Sequence, residues 1–206
     1  RLFWLGRYLE RVYTTLKATR GMFDAETDGA EADYKDYCRR MGIACRYENT
    51  AAFIRSYYFD AENADSVAAS LAHAYDNAIV LRETLSSDTL AYVQMAVTAM
   101  ELAAKSSGPA VELQWVLDDI MAFRGSCEEN IEEEINRNII KSGASLERVD
   151  IFLRLGYPQE QCLKEVRHLA SRLKKAQLAV NENNMQFLLN SLAGSPETLP
   201  PAPVLT

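Results

Sequence analysis

The chain has 206 residues, of which 48% are hydrophobic, and a formal net charge of −7 at pH 7. This size suits one domain with its own core, while the acidic balance excludes a general nucleic-acid binder, because phosphate neutralisation needs a concentrated positive face. No apolar run approaches the ~18 residues of a membrane-spanning helix and no secretory pattern opens the sequence, so we expect a cytoplasmic protein without membrane contact.

Apolar residues recur at helical spacing along the N-terminal half, which contains no proline. The stripe from Leu2 to Leu16 predicts a first helix, with Gly21 as its stop, and an acidic loop is predicted over residues 24–36. Helices are expected next at about 34–41, 47–58 and 67–85, and then after a cap at Ser86 or Ser87. The candidate core positions of that last helix are Leu90, Val93, Val97, Met100 and Leu102.

The C-terminal half begins with a break at residues 106–109. A long helix is expected from about Val111, and the sequence leaves open whether it continues past Gly125, because glycine weakens a helix by about 1 kcal/mol. Further helices are expected up to Leu155, then at about 158–180 and 185–192, followed by a flexible proline-rich tail over 194–206. The fold class is therefore all-α, a single bundle of about six to eight helices over residues 1–193.

Two segments resemble each other at an offset of 137 residues: Gly6 to Val12 and Gly143 to Val149 share Gly, Leu, Glu, Arg and Val at matching positions. Glycine permits close backbone approach between helices. If the two helices pack antiparallel near the glycines, we expect Glu10 to face Arg148 and Glu147 to face Arg11 as an internal pseudo-repeat. Chance similarity of common helix residues is the alternative interpretation.

The residues that could carry chemistry are few. Neither a nucleophile elbow nor a nucleotide-binding glycine loop is present, and the four cysteines lack metal-ligand spacing, so we expect reduced, mostly buried thiols. Glu165 and His168 form half of a di-iron Glu-x-x-His pattern, but Ser70 stands where the second glutamate would precede His73. No metal, cofactor or catalytic residue is predicted.

Arginines inside apolar helical stretches need carboxylate partners, and Glu10, Glu83 and Glu147 are the nearby candidates. Such pairs either fix the register of the helices or form a pocket for an anion or a peptide carboxylate. The candidate binding residues are Arg7, Glu10, Arg11, Arg82, Arg124, Glu147 and Arg148. Residues 137–175 carry nine Lys or Arg against four acidic residues, which makes this stretch a candidate docking face.

Three blocks resemble the bacterial alpha-E domain family: RLFWLGRYLERVYTTLK at 1–17, SVAASLAHAYDNAIVLRETLSSDTLAYVQ at 66–94, and AFRGSCEENI with IIKSGASLERVDIFLRL within 122–155. The opening block is the most specific. Tyr75, Ile79 and Ala144 stand where the family usually has arginine. The resemblance implies an all-helical protein without an assigned reaction, found beside or fused to a circularly permuted ATP-grasp amidoligase.

The resemblance therefore implies a non-catalytic accessory or scaffold subunit that binds an ATP-grasp-type amidoligase or its peptide substrate in a bacterial peptide synthesis or modification system. An enzyme of amide-bond chemistry is the first alternative, with Glu10 or Glu147 as a general base whose pKa is raised by burial. A helical-bundle metal or ligand sensor is the second. Self-association as a homo-oligomer is compatible with the sequence.

Overall fold

The computed structural model describes residues 1–27 and 33–194, and these ranges contain helices and no β-strand, as predicted. They contain ten helices rather than six to eight, because short segments such as the one that follows Thr19 form helices of their own. The helices are α1 (Leu2–Ala18), α2 (Arg20–Thr27), α3 (Tyr34–Met41), α4 (Thr50–Phe59), α5 (Val67–Val80), α6 (Ser87–Lys105), α7 (Ala110–Asn130), α8 (Glu134–Leu155), α9 (Gln159–Lys175) and α10 (Glu182–Leu192).

Local signals account for most helix ends. The side chains of Asn49, Ser66 and Ser86 accept hydrogen bonds from backbone N–H groups three residues later and thus cap α4, α5 and α6. Gly42 and Gly156 end α3 and α8 in the left-handed conformation, with φ of 72° and 71°. These boundaries are therefore encoded by short-range chemistry that can be read from the sequence.

Some predicted boundaries differ from the structure, and one that the sequence left open is decided by it. Helix α2 occupies the start of the predicted acidic loop, and α5 ends at Val80 rather than at Leu85. Helix α7 passes through Gly125 and continues to Asn130, because packing of its buried face outweighs the weak propensity of one glycine. Residues 28–32 of the predicted acidic loop and 195–206 of the predicted tail lie outside the described residues.

Helix α1 runs through the centre of the bundle, where it packs against α5, α7 and α8. It lies antiparallel to α5, since Arg1 donates to Asn77 while Tyr8 contacts His73. Helices α8 and α9 form an antiparallel hairpin, since Ser145 meets Arg172 and Glu134 meets Lys175. The buried side chains divide into a large core around α1 and a smaller cluster between α8, α9 and α10.

Helices α1 and α8 cross at Gly6 and Gly143 and are parallel, not antiparallel as predicted. A Cβ atom at Gly6 would overlap the carbonyl oxygen of Ile140, and one at Gly143 would overlap that of Phe3. Four or five residues after the glycines, Arg11 meets Glu147 and Glu10 meets Arg148. The residue numbers therefore rise in the same direction along both helices, from the glycine crossing to the ion pairs. In an antiparallel pair, the residues after each glycine would run apart, and Glu10 would not reach Arg148.

The C-terminal ends of α3 and α8 meet and exchange caps. Arg40 of α3 donates from Nη1 to the carbonyl oxygen of Leu155 at 3.3 Å, and Arg154 of α8 donates from Nη1 to that of Met41, also at 3.3 Å. Each guanidinium thus binds the negative end of the other helix's dipole. This exchange ties α3 to α8, the helix that supplies half of the candidate site.

The remaining sequence expectations concern thiols, core positions and membrane spans. Cys38, Cys127 and Cys162 are buried as free thiols, and Cys45 is exposed. Leu102, predicted to lie in the core, is 47% exposed, whereas Val93 and Met100 of the same helix are buried. None of the helices in the described ranges is both long and apolar enough to cross a membrane.

Candidate functional site

Two carboxylates, Glu10 of α1 and Glu147 of α8, lie at the α1–α8 interface, and each is only 1% exposed. Glu147 accepts hydrogen bonds from two arginines of α1: Nε of Arg7 binds Oε2 at 2.7 Å, and Nε of Arg11 binds Oε1 at 2.6 Å. Since Arg7 and Arg11 are one helical turn apart, both reach the same carboxylate. The predicted pairing of Arg11 with Glu147 is confirmed.

Glu10 accepts a bidentate pair of bonds from Arg148, as predicted. Nε of Arg148 lies 2.8 Å from Oε1 and Nη2 lies 2.8 Å from Oε2. Nη2 of Arg124, from α7, donates to Oε2 at 2.7 Å, and the hydroxyl of Thr14 donates to Oε1 at 2.7 Å. Arg148 also reaches Glu165 of α9 at 3.2 Å, so four helices are joined at this cluster.

The two halves of this cluster are related by an approximate two-fold axis, which matches each residue of α1 with the residue of α8 that lies 137 positions later in the sequence. Under it, Glu10 corresponds to Glu147 and Arg11 to Arg148, but Arg7 corresponds to Ala144. The second guanidinium at Glu10 is instead that of Arg124, which comes from a different helix. The methyl side chain at position 144 therefore leaves open a volume that the equivalent of Arg7 would fill.

The space beside Ala144 is part of a cleft of about 480 Å³ between α1, α7, α8 and α9. Five cationic side chains face it and only two carboxylates do, so the cleft carries a positive excess. Both carboxylates are already paired, Glu10 with Arg148 and Arg124, and Glu128 with Lys141 at 2.5 Å. The charged residues that line the cleft are Glu10, Arg124, Glu128, Arg137, Lys141, Arg148 and Arg172.

Arg172 is one of two cations of this cleft, with Arg137, whose charge no ion pair balances within the described residues. It donates to the hydroxyl of Ser145, and no ion pair of the described residues includes it. Burial, followed by the positive charge of Arg148, lowers the pKa of Arg172 below its ordinary value. An anion in the cleft would oppose this lowering of the pKa, since it would supply a negative charge and further hydrogen-bond acceptors to Arg172.

Six of the seven predicted site residues meet in this cluster, and Arg82 does not. Arg82 lies in the turn after α5, where its side chain is 71% exposed and contacts only the neighbouring Glu83, at 3.3 Å. Sequence spacing placed it in an apolar stretch, but α5 ends before it. Arg172 and Lys141 were missed as individual residues, although both belong to the basic stretch 137–175 that predicted a docking face.

The expected general base is not supported at Glu10. Burial by itself raises the pKa of this carboxyl, but the hydrogen bond from Arg148 and the charges of Arg124 and Arg148 outweigh it, so that the pKa falls below its ordinary value. A carboxylate held ionised by two guanidinium groups is a weak proton acceptor. The cleft also contains Cys127. Burial raises the pKa of its thiol to about 12, so the thiol is protonated at neutral pH.

The two histidines have structural surroundings. The ring of His73 lies 5.3 Å from that of Tyr8, and Nδ1 of His168 lies 3.5 Å from Glu165. Glu165 also forms an ion pair with Arg148 and is therefore part of the ion-pair cluster. In the part of the chain that the structure describes, no three His, Cys, Asp or Glu side chains converge to hold a metal ion.

A family model matches residues 1–196: that of Alpha-E, described as a predicted alpha-helical domain with a conserved ER motif. No curated protein and no solved structure matches the chain. The sequence contains Glu-Arg dipeptides only at Glu10–Arg11 and Glu147–Arg148. These two dipeptides are the ones that supply both buried carboxylates and two of the guanidinium groups of the cluster.

Proposed function

The chain belongs to the Alpha-E family, and from this we propose that it is a non-catalytic helical accessory subunit of a bacterial peptide synthesis or modification system. Its partner is an ATP-grasp-type amidoligase or the peptide substrate of such a ligase. The cleft beside Ala144 binds a carboxylate of the peptide. This assignment combines the resemblance of the sequence blocks with the charge distribution of the cleft.

The positive excess of the cleft is the observation that carries the proposal. Arg124 and Arg148 neutralise Glu10, and Lys141 neutralises Glu128, which leaves Arg172 and Arg137 as donors facing an open volume. Arg137 already donates to the carbonyl oxygens of Ile131 and Glu132, so Arg172 is the proposed donor to the ligand. A planar guanidinium binds a carboxylate through two parallel hydrogen bonds, which makes a peptide carboxylate the matching ligand.

The ion-pair cluster beneath the cleft supports binding rather than catalysis. Glu10 accepts four side-chain hydrogen bonds, which occupy all of its lone pairs. Glu147 accepts one hydrogen bond from arginine on each oxygen, so guanidinium groups hold both carboxylates in place. The cluster instead makes a rigid floor, because its charges are buried, paired and contributed by four helices. A rigid floor with Arg172 at its edge holds an anionic group in one orientation.

Isothermal titration with a short alanine peptide tests the binding site. The peptide with a free C-terminal carboxylate is expected to bind, and the same peptide with a C-terminal amide to bind at least about tenfold more weakly. Arg172→Gln should weaken the free acid by a similar factor. Arg82→Gln, which removes an equally charged but remote side chain, should leave the affinity unchanged. Equal binding of acid and amide, or full affinity in Arg172→Gln, would refute the carboxylate site.

Co-purification from the native host at low salt tests the partner. An ATP-grasp ligase is expected in the bound fraction, because the resemblance of the sequence blocks implies association with such an enzyme. Recovery of the ligase with wild-type protein but not with the Arg172→Gln variant would show that the cleft contributes to the complex. Absence of any ATP-grasp enzyme from the wild-type complex would count against the accessory role.

A further inference from the structure

A second surface, on the outer side of the α6–α7 hairpin, carries large apolar side chains that no part of the described chain covers. Trp115 is 48% exposed there, Met95 is 51% exposed, and Leu102 lies beside them. They line a groove of about 490 Å³ between the two helices. Single exposed apolar residues are ordinary, but several in one groove mark an interaction surface.

The spacing of these residues fits a helical partner. On α6 the groove is lined at Ala91, Met95, Thr98 and Leu102, positions that recur every three or four residues and so form one straight stripe. On α7, Trp115 and the adjacent carboxylates face the same groove. Two antiparallel helices with such a shared stripe leave a channel into which the apolar face of a third helix packs.

The charge of the groove selects the kind of helix. Asp118 and Asp119 lie at its edge, and neither takes part in an ion pair of the described residues. Asp118 accepts a hydrogen bond from the side-chain amide of Gln114 at 2.9 Å. Burial and the neighbouring Asp118 raise the pKa of Asp119, which a facing cation would reverse.

We propose that the α6–α7 groove, lined by Met95, Leu102, Trp115 and the Asp118–Asp119 pair, docks an amphipathic helix of a partner protein that carries Lys or Arg beside its apolar stripe. Trp115 supplies the largest contact, because tryptophan in a pocket dominates many interfaces. The two aspartates select the register through charge. A second copy of this chain fits less well, because a two-fold contact through the groove would bring four carboxylates together.

This site is independent of the carboxylate cleft and attracts a ligand of opposite charge. A designed amphipathic peptide of about 18 residues, with leucines on one face, lysines on its flanks and an amidated C-terminus, serves as the probe. Its partner probe carries glutamate in place of every lysine. Titration is done on the full chain with Trp4→Phe, so that Trp115 is the remaining tryptophan and its emission reports on the groove alone.

The lysine peptide is expected to bind saturably and shift the Trp115 emission to shorter wavelength, and the glutamate peptide to produce no saturable shift. Asp118→Asn with Asp119→Asn should weaken the lysine peptide about fivefold, since two partly exposed ion pairs are lost. Leu102→Glu should weaken it at least about tenfold. Glu129→Gln with Glu132→Gln removes two exposed carboxylates elsewhere and should leave the affinity unchanged.

Several results would overturn the proposal. These are absence of binding by the lysine peptide, equal shifts with both peptides, or equal losses in the aspartate and glutamate variants. Sedimentation of the wild-type chain as a dimer that Leu102→Glu dissociates would assign the groove to a second copy instead. Because the probe lacks a free carboxylate, loss of its binding is distinct from failure of the cleft to bind the alanine peptide.

Discussion

Gly6 of α1 and Gly143 of α8 pack directly against each other's helix backbone, and neither position has room for one additional carbon atom. The contact brings the two helix axes close enough for Glu10 and Glu147 to be shared between them. Both carboxylates then lie in the interface, away from water, where each needs the arginines of the opposite helix. The ion-pair cluster is thus a consequence of the glycine contact.

Gly6→Ala or Gly143→Ala should destabilise the protein by about 2 to 4 kcal/mol, because the new methyl group meets backbone that must shift. Urea unfolding followed by circular dichroism measures this loss. Gly125→Ala is the matched control: Gly125 also lies within a helix but has nothing near its Cβ position, so alanine should stabilise α7 by up to ~1 kcal/mol. Equal effects at all three positions would contradict the close approach of α1 and α8.

Ala144→Arg should keep the fold and close the cleft. The new guanidinium takes the place that Arg7 has in the other half of the cluster, and it reaches Glu10 in competition with Arg124. We expect stability within about 1 kcal/mol of wild type and at least about tenfold weaker binding of the free-acid alanine peptide in titration calorimetry. Ala104→Arg adds the same charge to an exposed site on α6 and should not change this affinity. Unchanged binding by the Ala144 variant would place the ligand elsewhere.

Arg148→Gln should cost more stability than Arg11→Gln. Arg148 binds both oxygens of Glu10 and also Glu165, and its loss leaves a buried carboxylate with fewer partners, at an expected cost of about 3 kcal/mol. Arg11 makes one bond to Glu147, which keeps Arg7, so about 1 kcal/mol is expected. Urea midpoints of the two variants measure the difference. A larger loss of stability in Arg11→Gln would contradict the greater stabilisation that the contacts assign to Arg148.

Stability should fall with acid in part through Glu10. Because the folded state lowers the pKa of this carboxyl below its ordinary value of 4.5, the unfolded chain binds the proton more readily. The stabilisation is therefore complete above pH 4.5 and is lost as the pH falls through the folded pKa. The difference in unfolding free energy between wild type and Glu10→Gln, measured in urea from about pH 6 to about pH 3, should shrink with decreasing pH. A constant difference would contradict the lowered pKa.

Much of the secondary structure could be predicted because helix formation depends on residues three or four apart and on single capping side chains. Ser86, one of the two predicted caps, begins α6, and Ser66 and Gly156 act at the ends of α5 and α8 by the same short-range chemistry. The sequence left open whether α7 continues through Gly125, and it does so because its buried face is held by the rest of the bundle. Leu102 matches the helical period yet faces outward, since period alone does not say which side of a helix is covered.

Sequence patterns alone indicate the helices, the basic stretch within an acidic chain, and the two Glu-Arg dipeptides at an offset of 137 residues. Packing of the helices establishes that α1 and α8 are parallel, and that Arg124 takes the place left by Ala144. It also directs Arg172 to the open cleft and Arg82 to solvent. The reason is the range of the interactions. A helix is specified within a few residues, whereas a buried carboxylate selects its partners from residues more than a hundred positions away, which meet only when the helices pack.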